Sequence, residues 1–314
     1  MKPEDLDKLL AELKRELAIR SPETTVAVLG QTATALDVVA FLRSLGLVSR
    51  LEAIYDDRLG ARPLRELASS KAEIVVIAED AEKEQYLEAV GRSMAPQVKV
   101  LLGGYGHFAF RDDLFEACLR HAYVPSLANG YPNSLIHIFQ CLRNAARVGA
   151  RGLVVEFGMF KGGTTMLLSR FIEALGADWQ VMGFDTFQGF PAKRNPLDLY
   201  AHPDCIFLDE PAARRYLSER NVEIVAGDVV ETVDRLRDQE IVLAFVDTDN
   251  YTSASRIIDV VADRIVPGGA FVFDHWTGRY RHLYTIGERM AARRLVDDIR
   301  FFNLHDTGVF MRIR

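Results

Sequence analysis

Residues 3–20 place Leu6, Leu9, Leu10, Leu13 and Leu17 at helical spacing behind Pro3, which suits a first turn. A docking or dimer helix is the expectation. From Thr25 the pattern changes to short apolar, β-branched runs separated by helical stretches. Thr25–Leu29, Leu51–Tyr55, Glu73–Ala78 and Val98–Leu102 read as strands, with helices at Ala35–Leu45 and Ala81–Met94. Strand, helix, strand in series implies a parallel sheet with right-handed crossovers. Gly103-Gly104-Tyr105-Gly106 interrupts the pattern. A helical stretch around Asp112–His121, a loop at Pro125–Asn133 and a helix around Ser134–Val148 follow.

From residue 150 the alternation restarts. Gly152–Phe157, Gln180–Phe184, Val222–Ala226, Ile241–Val246 and Ala270–Phe273 read as strands, and Pro267-Gly268-Gly269 as a break before the last. Helices are expected at Thr164–Leu175, Ala212–Arg220, Val229–Leu236 and Thr252–Ile265, with a basic helix at about Thr285–Leu295. Two terminal strands are expected near Ile299–Leu304 and Gly308–Ile313. The fold class is therefore α/β, as two Rossmann-like units: 1–122, with the leading helix, and 123–314. Thr186–Pro211 exceeds the usual loop length, which points to a lid or specificity element.

Composition narrows the classes. The 314 residues are 49% hydrophobic and 26% charged, which suits a globular chain. A net charge of −6 argues against nucleic acid as a partner. No apolar run approaches the roughly 20 residues of a membrane span, and the charged first stretch is no signal peptide. Cys118, Cys141 and Cys205 form no CxxC pair and no zinc pattern, so reduced core thiols in a cytoplasmic protein are expected.

The chemistry concentrates after residue 150. Glu156 closes one strand, and Gly158 to Gly163 make a glycine-rich turn into a helix at Thr164. Such a turn lets a ligand approach the backbone, and the helix start offers free N–H groups. Asp185 ends the next strand, where an acid meets the two ribose hydroxyls of an adenosine ligand. The first unit has only Gly30-Gln31-Thr32-Ala33-Thr34-Ala35. Thr32 and Ala35 stand where a dinucleotide loop wants glycines, although Asp56 is placed for a ribose. This argues against a nicotinamide oxidoreductase.

Asp247 and Asp274 also end strands, with Asp249 and His275 close by. If their strands are neighbours, these side chains converge, and gathered carboxylates call for a cation, hydrogen bonds or protonation. Mg²⁺ suits two carboxylates; His275 tilts the preference toward Mn²⁺, Fe²⁺ or Zn²⁺. Asp249 could instead cap the next helix. His107, His121, His137, His202, His282 and His305 show no ligand spacing. Lys161, Arg279 and Arg281 are placed to touch an anionic group, while Arg289, Arg293 and Arg294 read as a wet helix face.

The second unit resembles the class I S-adenosylmethionine-dependent methyltransferases, and more narrowly the macrocin O-methyltransferase family, which methylates sugar hydroxyls of macrolides and related natural products. The carrying segments are Glu156–Thr164, Gly183-Phe184-Asp185-Thr186-Phe187-Gln188-Gly189-Phe190-Pro191, Ala226–Thr232, Val246-Asp247-Thr248-Asp249-Asn250-Tyr251, Pro267-Gly268-Gly269 and Asp306–Phe310. The resemblance implies that Glu156, Gly158, Gly162, Gly163 and Thr164 line the methionine part of S-adenosyl-L-methionine. It places the ribose on Asp185 with Thr186 beside it, and the adenine by Asp228. It makes Asp247, Asp274 and His275 the holders of Mg²⁺ or another divalent cation, and Asp247, Asp249 and His275 the catalytic groups. His275 departs from the family, which has an acid there. The acceptor expected is a hydroxyl of a sugar or sugar-bearing small molecule; a non-catalytic binding protein and an amine N-methyltransferase are the alternatives. Leu29-Gly30, Tyr55-Asp56-Asp57 and Arg62-Pro63-Leu64 are similar to the nucleotide-sugar-binding domain of bacterial sugar acyltransferases. The amphipathic first helix adds homo-oligomerisation as an expectation.

Overall fold

The computed structural model describes residues 1–106, 112–120, 134–276, 283–305 and 307–314. The Pro125–Asn133 loop, His107, His121, Arg279, Arg281, His282 and Asp306 lie outside the described residues. Two compact units divide at Phe110/Arg111, earlier than the expected residue 122. The reason is the helix over Asp113–Leu119. Its Phe115 packs on Phe139 and Phe171, at 5.4 and 5.6 Å between ring centroids, so it belongs to the second unit.

In the first unit, strands β1 (Val26–Leu29), β2 (Leu51–Tyr55), β3 (Ile74–Ile77) and β4 (Lys99–Leu102) form a parallel sheet in the order β2-β1-β3-β4. Helices α1 (Pro3–Ile19), α2 (Ala33–Ser44) and α3 (Lys83–Ser93) accompany it. Leu9, Leu13 and Leu17 of α1 are buried with Val26, Val28 and Ile74. Much of the apolar face of the first helix is thus used inside its own unit. The ribose position of Asp56 is also taken. Its carboxylate accepts the Gln31 N–H at 2.5 Å and the Tyr86 hydroxyl at 3.1 Å, and it pairs with Arg58 at 2.7 Å. An internal anion thus occupies the backbone N–H that a phosphate would need.

In the second unit, helices α4 (Asp113–Leu119) and α5 (Leu135–Arg147) precede the sheet. The strands are β5 (Leu153–Phe157), β6 (Val181–Asp185), β7 (Val222–Ala226), β8 (Ile241–Val246), β9 (Ile265–Phe273), β10 (Phe301–Asn303) and β11 (Val309–Arg312). Their order is β10-β11-β9-β8-β5-β6-β7. Strands β5 to β9 pair in parallel, and β11 is antiparallel to both neighbours. Helices α6 (Gly163–Ala174), α7 (Glu210–Leu217), α8 (Val229–Thr232), α9 (Tyr251–Val261) and α10 (Ile286–Ala292) connect or flank them. The central strands are buried along their whole length, as parallel strands covered on both faces must be.

Pro267-Gly268-Gly269 does not precede β9 but lies inside it. Gly268 has φ +84°, and a Cβ at Gly269 would stand 2.6 Å from the Val242 carbonyl. The β8–β9 register shifts there, so the glycines absorb an irregularity rather than end the strand. The strands ending at Glu156, Asp247 and Asp274 are neighbours, β5, β8 and β9. Among the described residues no helix is long and apolar enough to cross a membrane.

Candidate functional site

The carboxyl ends of β5, β6, β7, β8 and β9 open into a cavity of about 470 Å³ in the second unit. A ligand is expected there in an open parallel sheet. Gly158, Asp185, Thr186, Asp228, Asp247, Asp249 and His275 line it, as do Phe160 and Thr248.

The glycine-rich turn explains the near wall. Gly158 has φ +88°, and a Cβ there would overlap the Asp247 carbonyl. Phe160 and Phe187 take φ of +51° and +50°, a region non-glycine residues seldom enter. Asp185 holds both turns. Its Oδ2 accepts the Phe160 N–H and its Oδ1 the Phe187 N–H, each at 2.8 Å. Burial raises its pKa, while the amides of Phe187, Phe160 and Thr186 oppose the shift. Asp185 also lines the cavity, and a carboxylate has about four lone-pair sites.

Four of the expected donor-lining residues do not face the cavity. Gly162 turns with φ +85° against Leu217, Gly163 starts α6, and Thr164 is buried in its first turn. Glu156 is 1% exposed and accepts the Thr165 hydroxyl at 2.5 Å. Its carboxyl supports the turn from beneath. Thr186 does line the cavity, but its hydroxyl donates to the Gly189 carbonyl at 2.6 Å and shapes its own turn. Asp228 caps α8 through the Val230 N–H at 2.9 Å and pairs with Arg194 at 2.9 Å.

Burial pushes the Glu156 carboxyl up to about 8, with Asp247 and Asp185 adding to the rise and Thr165 opposing it. Between the ordinary 4.5 and about 8, the folded protein holds a proton that the unfolded chain releases. Stability contributed by this group is therefore full at low pH and falls as pH rises through that window. The melting temperature of Glu156→Gln should decline less from pH about 5 to 8 than that of the wild type. Parallel profiles would show that Glu156 does not titrate there.

At the far wall, His275 Nε2 stands 3.1 Å from Asp247 Oδ1 and 2.9 Å from Asp249 Oδ1. Burial alone would lower the His275 pKa. The two carboxylate bonds, with the Glu288 charge, more than reverse this and hold it well above 6.5. The potential ligand atoms of Asp247, Asp249 and His275 lie within 4.8 Å of one another. Asp274 is outside that group: it accepts the Ser134 hydroxyl at 2.6 Å, and its Oδ2 is 3.7 Å from His275 Nε2. The structure thus gathers Asp249, rather than Asp274, with Asp247 and His275. Two carboxylates and an imidazole nitrogen fit a divalent cation, and the nitrogen favours a softer ion than Mg²⁺. Thr248 Oγ1 and His275 Nδ1 are buried without a hydrogen-bond partner among the described residues. Orphans of this kind beside a cavity are groups a ligand can satisfy.

Sequence reasoning missed Glu288. It is fully buried in α10, in the stretch read as a basic helix, yet accepts the N–H groups of Thr248, Asp249 and His275. Burial pushes its carboxyl up to about 8, His275 opposing and Asp247 adding. The one local signal was an acid among Gly287, Ala291 and Ala292, a face too small-sided to be the wet one.

The segment 186–211 is a fastened wall. Asp198 accepts the Thr252 N–H at 2.8 Å and hydroxyl at 2.7 Å, and Asn250 bonds both backbone groups of Tyr200, at 3.0 and 2.9 Å. It brings Phe190, Tyr200, His202 and Phe207 to the cavity. Phe190 meets Tyr200 edge-on at 5.5 Å, and Tyr200 stacks on His202 at 6.5 Å. His202 also accepts the Asp204 N–H. Cys118 and Cys141 are buried free thiols, but Cys205 lines the cavity and so is no core thiol.

Residues 155–276 match the family model of a methyltransferase domain. The chain is 26% identical over 159 residues to mycinamicin III 3''-O-methyltransferase of Micromonospora griseorubida, a match covering 46% of this chain and 61% of that protein. Among solved structures, the O-methyltransferase NovP is similar at 21% identity, covering 57% of this chain and 79% of its own, with a TM-score of 0.47. The calicheamicin methyltransferase CalS11 is 21% identical, covering 66% and 95%, with a TM-score of 0.45.

Proposed function

We propose that the chain transfers a methyl group from S-adenosylmethionine to a hydroxyl of a sugar-bearing small molecule. The observation that carries this reading is one cavity lined at one side by Asp185 and at the other by Asp247, Asp249 and His275. The named relative, mycinamicin III 3''-O-methyltransferase, favours a hydroxyl as acceptor.

Bound S-adenosylmethionine supplies a methyl group on a sulfonium, open to in-line displacement. Asp185 accepts the ribose hydroxyls, and its two backbone bonds fix it for the task. Asp228 stands at the end of β7, beside the adenine. Asp247 and Asp249 face the acceptor, and one of these carboxylates takes the hydroxyl proton as the oxygen attacks. His275 Nε2 lies within 3.1 Å of both carboxylates and holds them at the reacting end of the cavity. A divalent cation would be held by Asp247, Asp249 and His275 Nε2 in its neutral form, and would stabilise negative charge on the acceptor oxygen. Alignment of the two reactants supplies much of the rate, about 7–11 kcal/mol in favourable model systems. The aromatic wall of Phe190 and Tyr200 bounds the acceptor's side and excludes water.

Calorimetry tests the donor. S-adenosylmethionine and S-adenosylhomocysteine should both bind, and NAD⁺ should give no heat; titrations with and without Mg²⁺ separate donor binding from any cation. Binding of NAD⁺ alone, or of none of the three, overturns the reading.

A further inference from the structure

The acidic pole is assembled from two loops of different strands. Thr248 and Asp249 follow β8, and Asp274 and His275 follow β9. One side chain bonds to both. Glu288 Oε2 accepts the N–H of Thr248 at 3.0 Å and of Asp249 at 3.1 Å, and Oε1 accepts the N–H of His275 at 2.9 Å. The helix can reach this place because residue 287 is glycine. A Cβ there would overlap the Leu197 carbonyl and stand 2.8 Å from the Tyr251 nitrogen.

The bond to Asp249 carries the weight. Asp249 has φ +62°, a left-handed conformation that a non-glycine residue seldom adopts unless its surroundings hold it there. In that conformation its N–H meets Glu288 and its carboxylate meets His275. A residue relaxed from it would turn the carboxylate elsewhere. The buried oxygens of Glu288 oppose that relaxation, since each N–H they release would lose its acceptor.

We propose that Glu288 is a positioning residue: it clamps the two loops so that Asp249 and His275 meet at the reacting end of the cavity. This rests on the methyl-transfer reading for its purpose, but the contacts stand on their own. Glu288 does not line the cavity. A carboxyl group is required because three N–H donors converge on its two oxygens. Glutamine would turn an NH₂ group against at least one of them.

Solution NMR of the full chain, without ligand, tests this. In the wild type the amides of Thr248, Asp249 and His275 should exchange at least about 100-fold more slowly than open-loop amides. The ring Nε2–H of His275, held between two carboxylates, should give a downfield proton resonance that His275→Gln removes. In Glu288→Gln that resonance should be lost, while S-adenosylhomocysteine affinity by calorimetry stays within about threefold. Glu288→Asp, which keeps two acceptor oxygens on a shorter arm, should weaken the resonance partly. Open-loop exchange at the three amides, an absent wild-type resonance, or an unchanged one in folded Glu288→Gln would overturn the proposal. So would loss of resonance and nucleoside affinity together, which marks a merely structural role. Should Glu288→Gln not fold, exchange in the wild type and the resonance of Glu288→Asp decide. If the wild type fails to bind S-adenosylhomocysteine yet shows the protected amides and resonance, the donor reading falls and the clamp remains.

Discussion

Asp247→Ala should abolish methyl transfer while leaving the donor in place. Asp247 ends β8 at the cavity, and its Oδ1 bonds the His275 ring. Removing it takes away a candidate proton acceptor and one of the two carboxylates that raise the His275 pKa. A positioned acid or base is worth about 10²–10⁴ in rate. With any acceptor that the wild type methylates, kcat should fall by that range or below detection. S-adenosylmethionine affinity should change by less than about threefold, because Asp185, at the other wall, is untouched. Near-normal turnover in this variant would remove Asp247 from the chemistry.

Asp185→Ala should act in the opposite way. Its carboxylate has two assignments, the ribose hydroxyls and the N–H groups of Phe160 and Phe187. Hydrogen bonds to a charged group contribute about 1.5–3 kcal/mol each. Loss of two to the ribose corresponds to a drop in donor affinity of about 100-fold or more. Release of the two left-handed turns adds to it, since Phe160 also lines the cavity. Calorimetry with S-adenosylhomocysteine reads the change directly, and an unchanged affinity would refute the ribose role.

These two acids could be read from the sequence because their positions are local. Each closes an apolar run, and a parallel sheet brings the carboxyl ends of its strands to one edge. The Gly158–Gly163 turn was legible for the same reason. What surrounds them was not local. The diversion of Asp274 to Ser134 depends on α5 reaching the end of β9. The entry of Asp249 depends on a left-handed backbone that no residue pattern announces, and on Glu288 from a distant helix. In the first unit, Asp56 was placed correctly at a strand end. Its capture of the Gln31 N–H is a contact between two loops, invisible in either alone. Pro267-Gly268-Gly269 read as a stop because prolines and glycines usually are. The strand continues because neighbouring backbone passes too close for any Cβ at Gly269.

The central claim is that a methyl donor's nucleoside sits between Asp185 and Asp228, with its sulfur end turned to Asp247. A crystal structure of the chain with S-adenosylhomocysteine tests it most directly. The account predicts both ribose hydroxyls on the Asp185 carboxylate, the adenine beside Asp228, and the sulfur facing the Asp247–Asp249–His275 cluster. A nucleoside bound elsewhere, or an empty cavity at saturating ligand, would contradict it.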